Sequence, residues 1–205
     1  AWLFDAQRHV HVLDLRAPGG WPGAQDFPST LAEALTRLHR DAREPVDQSL
    51  RRGSQTLGNL FSQADPLVDA LRRSIAEAID GVLADWPRDA AHPWFGRRTG
   101  SWRFTDSWSS RLVEDGFHTN HIHPHGWISA VYYVQVPAAC ADEQSRSGWL
   151  RFGVADFLGA AQVPAREVQP RPGRLVLFPS YMWHGTRPNR SSDARLTVAF
   201  DLVPV

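Results

Sequence analysis

The stretch WISAVYYVQV, residues 127–136, decides the class of fold. It is a run of β-branched and aromatic residues, the composition that suits a pleated, buried surface. Segments of the same kind surround it. Upstream lie WRF and WSSRLVE; downstream lie WLRFG, GRLVLF and RLTVAFDLV, all beyond Gly100 and punctuated by Gly, Pro, Asn and Asp. Several strands in succession without intervening helices predict a sandwich or barrel instead of a parallel βαβ sheet.

Before Gly100 the pattern changes. VHVLDL (10–15) alternates like a short strand, but the rest reads as helices and loops. TLAE, Thr30 to Glu33, has the form of a capping box and predicts a helix running to about Ala42. Asp65-Pro66 predicts a second helix start, with Leu67, Leu71, Ile75, Ala78, Ile79 and Val82 forming one apolar stripe. Leu60 and Phe61 are expected to pack beneath it. The expected architecture is α+β and mainly β, a jelly roll with N-terminal helices packed on one face. We expect one domain over 1–205, with 1–100 a largely helical support and 101–205 the core that carries the site.

Composition narrows the function. Lys+Arg and Asp+Glu both number 22, so zero net charge leaves no electrostatic footprint for nucleic acid and no polybasic patch for a membrane. Nine Trp and ten Phe point to a well-filled core. The single cysteine, Cys140, excludes a disulfide framework and is compatible with a reducing compartment. No signal-peptide-like or membrane-spanning run is present, and the chain does not open on Met, as expected of a piece of something longer. A soluble, cytoplasmic globular domain is expected.

HTNHIHPH, residues 118–125, holds four of the nine histidines. If HIH is extended, His121 and His123 project from one face and can share a metal. Pro124 favours a chain leaving the ladder before His125, and His118 faces the other way. A third ligand must come from elsewhere, and His184 is the best candidate, at the far end of the apolar run Leu175 to Phe178. The ten-residue loop GTRPNRSSDA then leads to RLTVAFD, so the two segments read as a hairpin. Arg195 and Thr197 share a face able to hold a carboxylate. Leu196, Val198, Phe200 and Leu202 form the opposite, apolar face, expected to pack against the helices. Each residue also has a plainer reading: a hydrogen-bonded histidine pair, a turn-capping His184, a surface ion pair for Arg195, and core packing for Trp108, Trp127, Trp149 and Trp183. His118 and His125 are not expected to ligate; one of them is expected to line the pocket or to steady a ligand through its other nitrogen.

HxH, a distal His and then Arg-x-Thr resemble the Fe(II)/2-oxoglutarate-dependent oxygenases. Within them the chain resembles bacterial members often found C-terminal to tetratricopeptide repeats. The phrases RRGSQTLGNLF (51–61), SWSSRL (107–112), GFHTNHIHPHGWISAVYYVQVP (116–137), GWLRFG (148–153), GRLVLFPSYMWHGTRP (173–188) and RLTVAFD (195–201) carry the likeness. The resemblance implies a double-stranded β-helix, with Fe(II), 2-oxoglutarate and O2 as cofactor and cosubstrates. It implies His121, His123 and His184 as iron ligands, and Arg195 with Thr197 as the anchor of the distal carboxylate of 2-oxoglutarate. Tyr133, second of the YY pair, reaches the same carboxylate in related enzymes, and Ser129, Val131 and Tyr133 share one strand face.

The implied reaction is hydroxylation of an unactivated C–H bond with release of succinate and CO2. The implied substrate is a small molecule, peptide or protein. One departure stands out. The usual facial triad has a carboxylate where this chain has His123, which leaves the centre one unit more positive. An imidazole in that slot also argues against halogenation. Two rivals remain at this stage: a cupin-like three-histidine dioxygenase without 2-oxoglutarate, and a non-catalytic zinc-binding module.

Overall fold

The computed structural model describes residues 2–19, 26–159 and 162–205. Two antiparallel sheets make the jelly roll. The larger has six strands in the order β1 (His11–Asp14), β7 (Arg174–Pro179), β4 (Ile128–Gln135), β9 (Arg195–Pro204), β3 (Trp102–His118) and β2 (Leu50–Gln55). The smaller has β6 (Arg166–Val168), β5 (Leu150–Phe152) and β8 (His184–Thr186). Among the described residues, three α-helices accompany them: α1 (Ala6–His9), α2 (Phe27–Leu38) and α3 (Pro66–Ala84).

Strand β7 shows why the larger sheet sits where it does. Leu175 and Leu177 face a core shared with Leu31 and Leu35 of α2 and Leu71 and Ile75 of α3. Val176 and Phe178 face the other way, into a core shared with Leu150 and Phe152 of the smaller sheet. A strand covered on both faces needs an unbroken apolar run, and LVLF supplies it. Strands β4 and β9 treat their two faces differently. Ile128, Ala130, Tyr132, Leu196, Val198, Phe200 and Leu202 join the helix-side core, as expected for the apolar face of RLTVAFD. The odd-numbered residues are left to face the interior of the roll.

Helix α3 begins where the sequence places it: the Leu67 and Val68 amides donate to the Asp65 carboxylate at 2.8 and 3.2 Å. Its buried stripe is rotated slightly, taking in Val68 and Leu83 and leaving Leu67, Ala78 and Val82 half-buried. Helix α2 departs from expectation. It starts at Phe27 with Pro28 in the first turn, so Thr30 lies inside the helix and its Oγ1 donates to the Asp26 carbonyl at 2.8 Å. A proline preset for the first turn pulls the start upstream, and the threonine hydroxyl turns back on the helix instead of capping it. The helix ends at Leu38, short of Ala42.

Two further corrections concern strands. Strand β1 lies where VHVLDL predicts one, but β2 was not expected, so residues 1–100 are less helical than predicted and supply both edges of the larger sheet. LRRGSQ escapes a pattern reading because an edge strand tolerates exposed charge. The expected hairpin around GTRPNRSSDA is not formed: β8 belongs to the smaller sheet and β9 to the larger, so the loop crosses between sheets. Among the described residues, no helix is long and apolar enough to cross a membrane.

Candidate metal centre

HIH is not part of a regular strand. His121 makes an isolated antiparallel bridge with His184, each amide donating to the other's carbonyl at 2.9 and 3.0 Å. The His123 amide donates to the Ser180 carbonyl at 2.8 Å, and the Trp127 amide to the Leu202 carbonyl at 2.9 Å. The histidine loop is thereby pinned to the segment that precedes β8. The predicted convergence of His121, His123 and His184 is met by this bridge, not by strand parity.

One ligand atom from each of the three histidines lies within 4.8 Å of the others. Ring centroids are 4.3 Å apart for His121 and His184, and 5.1 Å for His123 to either. The far nitrogen of each ring is already committed. Nδ1 of His121 lies 2.8 Å from the Thr119 carbonyl, and Nδ1 of His184 lies 2.9 Å from the Met182 carbonyl. Carbonyl oxygens only accept, so both Nδ1 atoms carry the proton and donate. Nδ1 of His123 lies 2.7 and 2.9 Å from the two carboxylate oxygens of Asp201 and likewise donates. In the neutral rings each Nε2 therefore holds a lone pair.

Nε2 of His121 and Nε2 of His123 approach to 3.2 Å. Two lone pairs at that distance repel unless a cation lies between them. Burial keeps His121 and His184 in ligand form: it lowers His121 to about 4, helped by His123, and pulls His184 well below the usual histidine value. The residues present thus fit a metal ion bound through three Nε2 atoms, with the second hydrogen bond that metal-binding histidines characteristically make.

A cavity of about 1390 Å³ opens beside this centre. Arg195, Thr197, Ala199 and Asp201 of β9 line it with Val131 and Tyr133 of β4. Register explains the grouping, since Tyr133 pairs with Thr197, Val131 with Ala199, and Ser129 with Asp201. Arg195 is 2% exposed. Its Nη1 donates to the Gly148 carbonyl, its guanidinium lies 5.9 Å from the Tyr133 ring centroid, and its buried Nε has no partner. Burial pulls its pKa down and pushes the Tyr133 phenol up to about 12. The Thr197 hydroxyl makes one long bond, 3.4 Å, to the Ser110 carbonyl. The structure therefore brings Arg195, Thr197 and Tyr133 together on the cavity wall, as predicted.

His118 lines the same cavity, its Nδ1 3.1 Å from Ser49 Oγ and its ring 6.2 Å from that of His121, while exposed His125 sits on the rim. Neither joins the three-histidine group. Trp108 lies 5.8 Å from the His123 ring and lines the cavity. Trp127 instead fills the helix-side core. The sequence reading missed Asp201. Its signal was available: Asp201 follows Arg195, Thr197 and Ala199 at a spacing of two along one strand, so it shares their face.

Residues 106–201 match a family model described as "Putative 2OG-Fe(II) oxygenase". No curated protein matches the chain. Solved structures of the same fold include a Pseudomonas putida prolyl-4-hydroxylase, 18% identical, TM-score 0.61, covering 98% of this chain and 96% of that one. HygX from Streptomyces hygroscopicus, with nickel, 2-oxoglutarate and hygromycin B bound, is 14% identical, TM-score 0.62, covering 98% and 85%. A prolyl hydroxylase from Trichoplax adhaerens, in complex with a hypoxia inducible factor peptide fragment, is 11% identical, TM-score 0.57, covering 97% and 86%.

Proposed function

We propose that the chain is a 2OG-Fe(II) oxygenase, the family whose model residues 106–201 match, in which His121, His123 and His184 hold Fe(II) while Arg195, Thr197 and Tyr133 anchor 2-oxoglutarate. The activity is that of a dioxygenase that hydroxylates an unactivated C–H bond and releases succinate and CO2. Bound iron, 2-oxoglutarate and O2 supply the oxidising power.

The chain's own residues do the rest. The Thr119 and Met182 carbonyls and the Asp201 carboxylate fix the tautomer and tilt of the three imidazoles before any ion arrives. Arg195 lines the cavity with one nitrogen held by the Gly148 carbonyl and no carboxylate beside it, and a planar fork of donors is the complement of a carboxylate. The Tyr133 phenol, protonated across the physiological range, is a second donor on that wall. Phe178 packs 4.5 Å from the His184 ring, and with Trp108 it keeps the neighbourhood of the ligands apolar and shields it from water.

The single observation that carries this reading is the joint geometry of three outward-committed imidazoles and one buried guanidinium, paired with no carboxylate, on a shared cavity. A three-histidine dioxygenase without 2-oxoglutarate, or a structural zinc site, leaves that guanidinium without a use. A cavity of about 1390 Å³ is large enough for a peptide segment or a sizeable small molecule. We propose substrates of those two classes, the classes named for the Trichoplax adhaerens enzyme and HygX. The one cysteine, Cys140, is a buried free thiol, which suits the cytoplasm. We also take residues 1–205 as one catalytic unit, since strands from the first hundred residues edge the sheet that bears the site.

The test is spectroscopic. Fe(II) and 2-oxoglutarate added anaerobically should give the weak visible charge-transfer band of the chelate, and O2 should then yield succinate. Absence of both overturns the proposal.

A further inference from the structure

We infer that Asp201 is the displaced carboxylate of this centre: it lends its negative charge to the metal through His123 instead of touching the ion. The inference rests on the metal-binding reading above. Asp201 is 8% exposed, and both of its carboxylate oxygens lie within 2.9 Å of His123 Nδ1. Its other side-chain contact is Ser129 Oγ at 2.6 Å, with Ser180 Oγ 2.9 Å beyond. A carboxylate only accepts, so the Ser129 proton goes to Asp201 and the Ser180 hydroxyl is left to donate to Ser129.

No arginine or lysine pairs with Asp201 among the described residues. A buried carboxylate facing one imidazole and one hydroxyl is costly unless a cation lies close by. Among the described residues, the place for it is across the His123 ring, where the three Nε2 atoms converge. The two departures from the usual triad therefore explain each other. The ligand set has lost a carboxylate, and a buried carboxylate without a cation stands directly behind the imidazole that replaced it. The net charge of the centre is kept while its contact atoms are all nitrogen. Asp201 is a positioning residue: it fixes the orientation of His123 and raises its donor strength, and it does not touch substrate.

The experiment measures dissociation constants for Co(II) and Zn(II) by competition with a chromophoric chelator, and the midpoint potential of bound iron. D201N keeps the shape and removes the charge. It should weaken metal binding by about 10–100-fold and raise the potential. H123D restores a contacting carboxylate, so its effect should depend on position 201. Beside Asp201 it sets two carboxylates against one another and weakens binding, whereas in the D201N background it should recover affinity. A purely structural Asp201 makes D201N equally harmful in both backgrounds, and that result overturns the inference.

S129A gives a second check should D201N fold poorly. Removing the serine bond concentrates the Asp201 charge on His123, so affinity should hold or tighten by a few-fold. A loss of affinity in S129A counts against the inference. If the unmodified protein binds neither ion, the metal reading itself fails. If it binds both and D201N binds them equally well, only the role of Asp201 fails.

Discussion

Replacing Arg195 by methionine should make the ligand-free protein more stable and the cosubstrate bind far more weakly. The guanidinium is buried with one carbonyl partner, one aromatic neighbour and an orphaned Nε. Exchanging buried ionic groups for apolar ones of similar volume is often neutral or stabilising by about 1–4 kcal/mol. For a domain of this size that corresponds to a melting temperature higher by roughly 2–4 °C per kcal/mol. The gain is reduced by the Gly148 carbonyl, which loses its donor, so an increase of a few degrees is expected. Losing one partner of a buried charge pair costs about 2–5 kcal/mol, which raises the dissociation constant of 2-oxoglutarate by roughly 30- to 5,000-fold. At a hundred times its dissociation constant, 2-oxoglutarate stabilises the Mn(II)-loaded parent by about 2.7 kcal/mol, or roughly 5–10 °C. The same concentration should leave R195M unmoved. Scanning calorimetry with and without 2-oxoglutarate reads both effects, and titration calorimetry reads the affinity. A variant that melts well below the parent when ligand-free, yet gains the same shift from 2-oxoglutarate, would show that Arg195 is a structural cation.

His39 predicts a pH dependence. Its Nε2 meets Ser109 Oγ at 3.0 Å and its Nδ1 meets Ser54 Oγ at 2.8 Å, while burial lowers it to about 4. A histidine depressed in the folded state stabilises fully above its unfolded value near 6.5, and that contribution is lost as pH falls from 6.5 towards 4. Urea unfolding should find about 2 kcal/mol less stability at pH 5 than at pH 7 from this residue, and H39Q should flatten the curve by that amount; an unchanged slope would discount it. Trp94 and Trp127 exchange indole-to-carbonyl hydrogen bonds, both at 2.9 Å and both buried. W127F should therefore lose about 2–4 kcal/mol of stability by denaturant titration, and a loss under 1 kcal/mol would contradict the reciprocal pairing. Gly126 should not tolerate a methyl, since its Cβ would sit 2.4 Å from Ser180 Oγ and 3.5 Å from Asp201 Oδ1. G126A should weaken Zn(II) binding several-fold in the chelator competition, and an unchanged affinity would show that the serine chain is slack.

How much of this was legible follows from which forces are local. The start of α3 was legible because Asp65 and Pro66 act within one turn. The apolar face of RLTVAFD was legible because strand parity is strict. Strand β2 was not, since an edge strand bearing Arg51 and Arg52 is held by pairing with β3, a partner some sixty residues away. The crossing of GTRPNRSSDA between sheets was hidden for a related reason. Loop length permits a hairpin, but β8 pairs with β5 while β9 is held between β4 and β3. The three histidines were found by spacing although HIH is not a strand, because the bridge to His184 imposes the convergence that parity was expected to provide.

The placement of Asp201 shows what spacing alone cannot deliver. Parity puts it on the same face as Arg195, yet both charges are buried on that face and neither pairs with the other. Along β9 they are separated by Thr197 and Ala199, six residues of spacing at about 3.4 Å each, or roughly 20 Å. Over that distance direct attraction is weak, so each charge must find its own counter-charge nearby. Asp201 faces His123 and the ligand nitrogens, whereas Arg195 lies on the cavity wall with Tyr133 and Thr197. The strand thus presents a negative group at one end and a positive group at the other. A ligand that joins them must carry a cation at the first and a carboxylate at the second, and a metal chelated by a dicarboxylate meets both demands at once. The helix-side face of the same strand, Leu196, Val198, Phe200 and Leu202, makes the arrangement affordable, because its burial offsets the cost of two unpaired charges one residue away.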